Sequence, residues 1–283
     1  MNRPNLLSID SQTPVSNPQS LSSSATSQSG IVLLSSRELD KMRQVGRLAA
    51  NLLNHLEPMV QPGISTQALN DEAAHWMRAH GAISATLGYA PPGYPPFSGA
   101  ICTSVNHVIC HGIPNPKQIL KEGDIINIDV TPILDGYHGD TSKTFLVGNV
   151  SETARKLVEV TYTAMMRGIA EIKPGARIGD IGAAIQEYAE ANGFSVVREF
   201  VGHGVGRQFH TEPQVPHYGK RNKGLKLRPG MVFTVEPMLN EGTGALKVLA
   251  DRWTVVTQDK KLSAQFEHTV AVTQDGVEIL TLP

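Results

Sequence analysis

The sequence predicts an α+β fold built from two similar halves, and three observations predict it. Apolar residues recur at helical spacing in some stretches and in short β-branched runs in others. A helix-bearing unit occurs twice at a constant offset of 112 positions. Between the two copies, an Asp-Gly pair flanked by β-branched runs marks a tight hairpin.

The first helix is expected to begin near Ser35, because Ser35 and Glu38 have capping-box spacing. Leu39, Met42, Val45, Ala49, Leu52 and Leu56 then follow at steps of three or four and form one apolar stripe, which Pro58 ends. A second helix follows Pro62-Gly63. Ser65 is placed to cap it, Ile64 and Leu69 to staple it, and Gly81 to terminate it. This unit recurs without a gap. Pro62-Gly63-Ile64-Ser65, Leu69, Trp76 and Ala79-His80-Gly81 match Pro174-Gly175-Ala176-Arg177, Ile181, Tyr188 and Ala191-Asn192-Gly193. Amphipathic helices resemble one another in general, but a shared Pro-Gly start and Gly stop at one offset point to a duplicated αα-plus-sheet half. Two such halves form a single domain, expected over residues 35–283, with a cleft between them.

The hairpin turn is Asp135-Gly136. A two-residue loop pairs Leu134 with Tyr137 and Thr131 with Asp140, and side-chain alternation then puts Asp129 on the same face as Thr131. Asp129 and Asp140 therefore sit on a cross-strand diagonal, roughly 7–8 Å apart at Cα. Carboxylates that close repel unless one is protonated or a cation lies between them.

Bulk composition narrows the function classes. The chain has 283 residues, of which 40% are hydrophobic and 18% charged, which suits a well-buried core. Its net charge of −1 offers no global electrostatic case for nucleic acid or an anionic membrane. No apolar run approaches the ~20 residues needed to span a bilayer. Cys102 and Cys110 make no disulfide framework, in keeping with a reducing, cytoplasmic setting. Residues 1–33 are rich in Ser, Gln, Asn, Thr and Pro, and 1–34 is read as a disordered tail. It lacks the layout of a secretory signal. Its Ser/Thr-rich, acid-poor composition leaves an organelle-targeting alternative, which a single Arg argues against.

Three further segments carry polar groups in apolar, strand-like surroundings. They are Gly202-His203-Gly204, Thr234-Val235-Glu236-Pro237 and Gln265-Phe266-Glu267-His268. A lone Glu in a strand usually faces solvent, and a lone His beside glycines is usually structural. Together, however, four carboxylates and a histidine in sheet-like segments would be costly to bury unpaired. A two-metal site explains them at once: four carboxylates and a neutral imidazole balance two divalent ions. Mixed O/N donors suit Mn, Fe, Co or Zn.

These segments carry a resemblance. Cys110-His111-Gly112-Ile113-Pro114, Asn127-Ile128-Asp129, Asp135-Gly136-Tyr137-His138-Gly139-Asp140-Thr141, Gly202-His203-Gly204-Val205-Gly206, Phe209-His210-Thr211-Glu212-Pro213, Thr234-Val235-Glu236-Pro237-Met238 and Ser263-Ala264-Gln265-Phe266-Glu267-His268 resemble, in order and spacing, the type I methionine aminopeptidases. The match runs from about residue 36 to 283. It implies the pita-bread α+β fold, with pseudo-twofold halves around a dinuclear centre. It implies Asp129, Asp140, His203, Glu236 and Glu267 as metal ligands, with Asp140 and Glu267 bridging. Glu236, His210 and His111 would then be catalytic. His111 and His210, with Tyr89, Tyr94, Cys102, Phe209 and Trp253, would line the substrate site, an apolar and sulfur-containing pocket suited to a thioether. Asn106, Val108 and Ser263 match a monovalent-cation site of some members.

The implied activity is removal of the initiator methionine from nascent chains with a small second residue, by metal-activated water attack on the first peptide bond. The implied enzyme is a cytoplasmic monomer that acts on nascent N-termini, with transient ribosome association and no specific nucleic acid or membrane partner. The segment from Tyr89 to Ala100 is longer than usual, and His107 replaces the usual Glu after Asn106. The rivals are a proline-specific peptidase, which would carry a separate N-terminal domain, and a catalytically silent binder, which would lack some of the five ligands.

Overall fold

The computed structural model describes residues 30–283. Four helices carry the two halves: α1 (Ser36–Leu56) and α2 (Thr66–Ala79), then α3 (Glu152–Ala170) and α4 (Ile178–Ala191). The backbone N–H and Oγ of Ser35 both donate to Glu38, at 2.9 and 2.7 Å, which fixes the start of α1. A 3₁₀ turn, Glu57–Met59, carries Pro58 and closes the helix.

The duplication extends to individual hydrogen bonds. Helices α2 and α4 occupy the same 14 positions of the repeat. Each ends in a Schellman cap on a glycine at positive φ, Gly81 (72°) and Gly193 (86°). In the first, Ala82 N donates to Met77 O and Gly81 N to Arg78 O. In the second, Phe194 N donates to Ala189 O and Gly193 N to Glu190 O. The Pro-Gly starts match too, with Gly63 N bonded to Leu120 O and Gly175 N to Leu227 O. The short strands Ile83–Ser84 and Ser195–Val196 follow at equivalent places.

An antiparallel sheet joins the halves. Its strands are β1 (Cys102–Val105), β2 (Ile125–Val130), β3 (Thr141–Leu146), β4 (Gly202–Gly204), β5 (Thr211–Val215), β6 (Val232–Val235), β7 (Glu267–Val272) and β8 (Val277–Ile279). The spatial order is β5-β4-β6-β7-β3-β2-β1, with β8 also paired to β7. The halves meet where β7 pairs with β3, Glu267 opposite Ser142. Each half has its own core. Leu52, Leu56, Leu69 and Met77 pack on Ile126 and Ile128, while Leu157, Met165, Ile181 and Ile185 pack on Phe233 and Val270.

The hairpin is more elaborate than a flat ribbon. Asp135 and Gly136 both have positive φ, 52° and 77°, the signature of a type I′ turn. Leu134 pairs with Tyr137, and β2 and β3 keep the same register beyond, with Asp129 opposite Ser142. The tip leaves that sheet, however, and pairs with Ile83–Ser84. Gly139 lies at the bend, where a Cβ would collide with the Val45 carbonyl of α1.

One expectation needs correction. The end of the supposed tail is part of the fold: Ile31 is buried in the second-half core, Leu33 packs against it, and Leu34 N donates to Gly230 O at 2.8 Å. Averaging composition over 1–33 hid the apolar run Ile31-Val32-Leu33-Leu34. The rest of the tail reading lies outside the described residues. Strand β7 has neighbours on both sides, and only His268 escapes full burial in it. No helix among the described residues is long and apolar enough to cross a membrane.

Candidate active site

Five acid and histidine side chains converge from the sheet. Asp129 is on β2, Asp140 immediately precedes β3, His203 is on β4, Glu236 follows β6 and Glu267 opens β7. Asp140, His203, Glu236 and Glu267 are buried; Asp129 is partly exposed, but its Oδ1 is covered and has no hydrogen-bond partner. Donor atoms of Asp140, His203 and Glu267 all lie within 4.8 Å of one another. His203 Nε2 is 3.5 Å from Asp140 Oδ2 and 3.6 Å from Glu236 Oε1. The glycines beside His203 permit this approach: a Cβ at Gly202 would strike Thr234 O, and one at Gly204 would strike Glu212 O.

The electrostatics show what the cluster is suited to bind. Burial, then Asp140 and Glu236, push Asp129 well up; burial, then Asp140, push Glu267 the same way. Burial also raises Glu236 to about 7, against the pull of His203 and a hydrogen bond from Thr234. Burial opposes a charge on His203, but Asp140 and Glu236 outweigh it and raise it to about 9. Without a cation, protons must hold this cluster together. His203 Nδ1 lies 3.1 Å from Gly204 O, so an N–H there donates to the carbonyl and leaves the Nε2 lone pair facing the carboxylates. An orphaned carboxylate oxygen, mutually repelling acids and an imidazole lone pair aimed at them fit divalent metal ions.

The surrounding groups fix each donor. Thr131 Oγ1 donates to Asp140 Oδ1 at 2.8 Å and Thr234 Oγ1 to Glu236 Oε1 at 2.7 Å. Gln265 Nε2 donates to Glu236 Oε2 at 3.4 Å. Glu236 N donates to Nε2 of His217, a fully buried histidine whose pKa burial lowers to about 3. Thr131 was foreseeable from the hairpin register and Thr234 from strand alternation with Glu236. Nothing in the sequence marked His217.

A cavity of about 170 Å³ opens on this cluster. Every residue named from the sequence for the centre and the pocket lines it, including Tyr89, Tyr94, Cys102, His111, Phe209, His210 and Trp253. Tyr89 Oη lies 3.0 Å from His210 Nδ1. His210 is held well below its ordinary pKa by burial and then by the neighbouring His203, and burial lowers His111 to about 4. Phe97 and Met238 also line the cavity and were missed. Phe97 is buried edge-on to Trp253, with centroids 5.3 Å apart, inside the unusual loop that gave no register to the reading. At the third group, Ser263 N donates to Asn106 O at 2.9 Å, while Val108 pairs with Val256.

Comparison with known proteins agrees with this geometry. The model of metallopeptidase family M24 matches residues 40–274. Methionine aminopeptidase B of Synechocystis sp. is 78% identical over 282 residues, spanning 100% of both chains. The crystal structure of methionine aminopeptidase from Rickettsia prowazekii superposes with a TM-score of 0.86 at 51% identity, covering 89% of this chain and all of that one. A prolidase from Pyrococcus furiosus shares the fold alone, at 19% identity and a TM-score of 0.69, with 65% of its length covered. The chain belongs to metallopeptidase family M24, with the pita-bread fold of the methionine aminopeptidases.

Proposed function

We propose that this chain removes the initiator methionine from protein N-termini when the second residue is small. The observation that carries the reading is that a cage of acids and a histidine meets an aromatic, sulfur-containing pocket in one cavity. Asp129, Asp140, His203, Glu236 and Glu267 would hold two divalent ions, drawn from Mn, Fe, Co or Zn. Such ions supply Lewis acidity and a water of lowered pKa.

The chain's own residues do the rest. The acidic cage draws in a substrate's terminal α-amine, which restricts cleavage to the first bond. Tyr89, Tyr94, Cys102, Phe209 and Trp253 enclose the methionine side chain. With Tyr89 donating to Nδ1, His210 carries its proton on Nε2 and polarises the scissile carbonyl. His111, kept neutral by burial, holds the peptide at the same bond. Glu236, oriented by Thr234 and Gln265, takes the proton of the attacking water and returns it to the leaving amine.

Asn106, Val108 and Ser263 would hold a monovalent cation. The substrates would be nascent chains, met by a cytoplasmic monomer in transient contact with ribosomes. The test is hydrolysis of Met-Ala-Ser against Ala-Ala-Ser and Xaa-Pro peptides with added Mn, Co, Fe or Zn. Release of methionine alone is expected; no cleavage of Met-Ala-Ser with any metal would sink the proposal.

A further inference from the structure

The extra residues between Tyr89 and Ala100 form a stiff loop over the pocket. Its neck is closed by Gly88 N to Phe97 O and Phe97 N to Tyr89 O, both 2.8 Å. Its tip is a turn, Tyr94 N to Pro91 O at 2.9 Å, with Gly93 at a φ of 84°. Pro91, Pro92, Pro95 and Pro96 have no N–H, so the tip has few donors with which to bind itself down. Its carbonyls are left as acceptors. Two of them are taken from across the cleft. Trp253 Nε1 donates to Pro95 O at 2.8 Å, and the Arg252 guanidinium donates to Gly93 O. The same guanidinium lies over the Tyr94 ring, 5.6 Å from its centroid, and Tyr94 packs on Trp253 at 5.3 Å.

Arg252 holds this position against its backbone preference. Its φ is 68°, in the left-handed region that disfavours a side chain. Asp251 pins the turn around it by accepting from Trp253 N, Thr254 N and Thr254 Oγ1, at 2.9, 2.8 and 2.7 Å. Glycine would fit this turn without strain, so a side chain kept there points to a use for it.

We propose that Arg252 is a positioning residue that latches the proline-rich loop across the cleft and so shapes the side-chain pocket; this rests on the methionine-pocket reading above. The latch holds Tyr94 and Phe97 against Trp253, so the aromatic wall is formed before substrate arrives. It acts on how tightly and how selectively the first side chain is held, not on the chemistry at the acidic cage.

The test compares wild type, Arg252→Gly, Arg252→Ala and Arg252→Lys as Mn-loaded full-length chains. Arg252→Gly relieves the backbone and removes the latch. Its Tm should equal or exceed that of wild type, while KM for Met-Ala-Ser rises on the order of tenfold, the weight of one good hydrogen bond, and kcat stays within about twofold. Preference for Met-Ala-Ser over Leu-Ala-Ser should fall with it. Arg252→Ala should match that KM with a lower Tm, and Arg252→Lys should recover part of the affinity. Acrylamide quenching of Trp253 fluorescence, measured in a Trp76→Phe background, should increase in the Gly variant. Unchanged KM and selectivity in Arg252→Gly, or a lower Tm there, would overturn the latch. If wild type cleaves no methionyl peptide, the activity reading fails, and unchanged quenching would separately overturn the latch.

Discussion

In the proposed mechanism Glu236 carries most of the chemistry of the site. It is buried, its oxygens accept from Thr234 and Gln265, its backbone N–H is held by His217, and it is raised to about 7. Glu236→Gln should therefore lower kcat by about 10²–10⁴-fold, with the circular dichroism of wild type. Near-normal kcat would remove the proton route from this residue. A second consequence concerns stability. His111, His217 and His268 are kept neutral by burial, at about 4, 3 and 4. Their folded values lie below the unfolded value of about 6.5, so the unfolded chain binds more protons between those limits. Their contribution is complete above pH 6.5 and is lost as pH falls toward 4. In Mn-loaded protein, where the acids of the cage stay deprotonated, the unfolding free energy read from urea melts should drop from pH 7 to pH 5, by about 2 kcal/mol for His217 alone; a bound cation nearby acts in the same direction. A flat profile across that window would contradict neutral burial. At this scale the sequence was informative wherever a residue type stood out against its surroundings, as Glu236 does at the end of Met231-Val232-Phe233-Thr234-Val235. His217 was illegible, because its value lies in a backbone contact with a segment 19 positions away.

Elements were legible where local physics decides them. The helix caps at Ser35 and Ser65, and the Asp135-Gly136 turn, depend on a few adjacent residues, and the structure has all three. The repeat was visible in the helices because the Pro-Gly start and Gly stop are obligatory backbone devices. It was not visible in the sheet, whose equivalent strands diverge in sequence while keeping their pairing. Gly81 and Gly193 give the duplication a quantitative test. Each sits at positive φ with no atom near a hypothetical Cβ, so Gly→Ala incurs backbone strain alone. Both substitutions should destabilise by about 1–2 kcal/mol, and by equal amounts within error. A large difference in urea midpoints would mean that the two caps are not equivalent. The proline-rich loop from Tyr89 to Ala100 was the least legible element. It has no periodicity, and its position is set by Trp253 and Arg252, far away in sequence.

At the scale of the whole molecule, two separately cored halves bring acids from several strands to one place. The sheet therefore stores like charges that only protons or cations can reconcile. Metal donors bind deprotonated. His203 stands at about 9, Glu236 at about 7, and Asp129 and Glu267 are raised. Loading with Mn at pH 7 should therefore release protons, and affinity should weaken as pH falls. Calorimetry in buffers of different ionisation enthalpy reads this release directly, and zero release or proton uptake would contradict it. The most direct measurement is anomalous diffraction from Mn-loaded crystals of the full chain. Two neighbouring peaks are expected among Asp129, Asp140, His203, Glu236 and Glu267, with Asp140 and Glu267 touching both. No peak there, or manganese bound only elsewhere, would contradict a dinuclear centre.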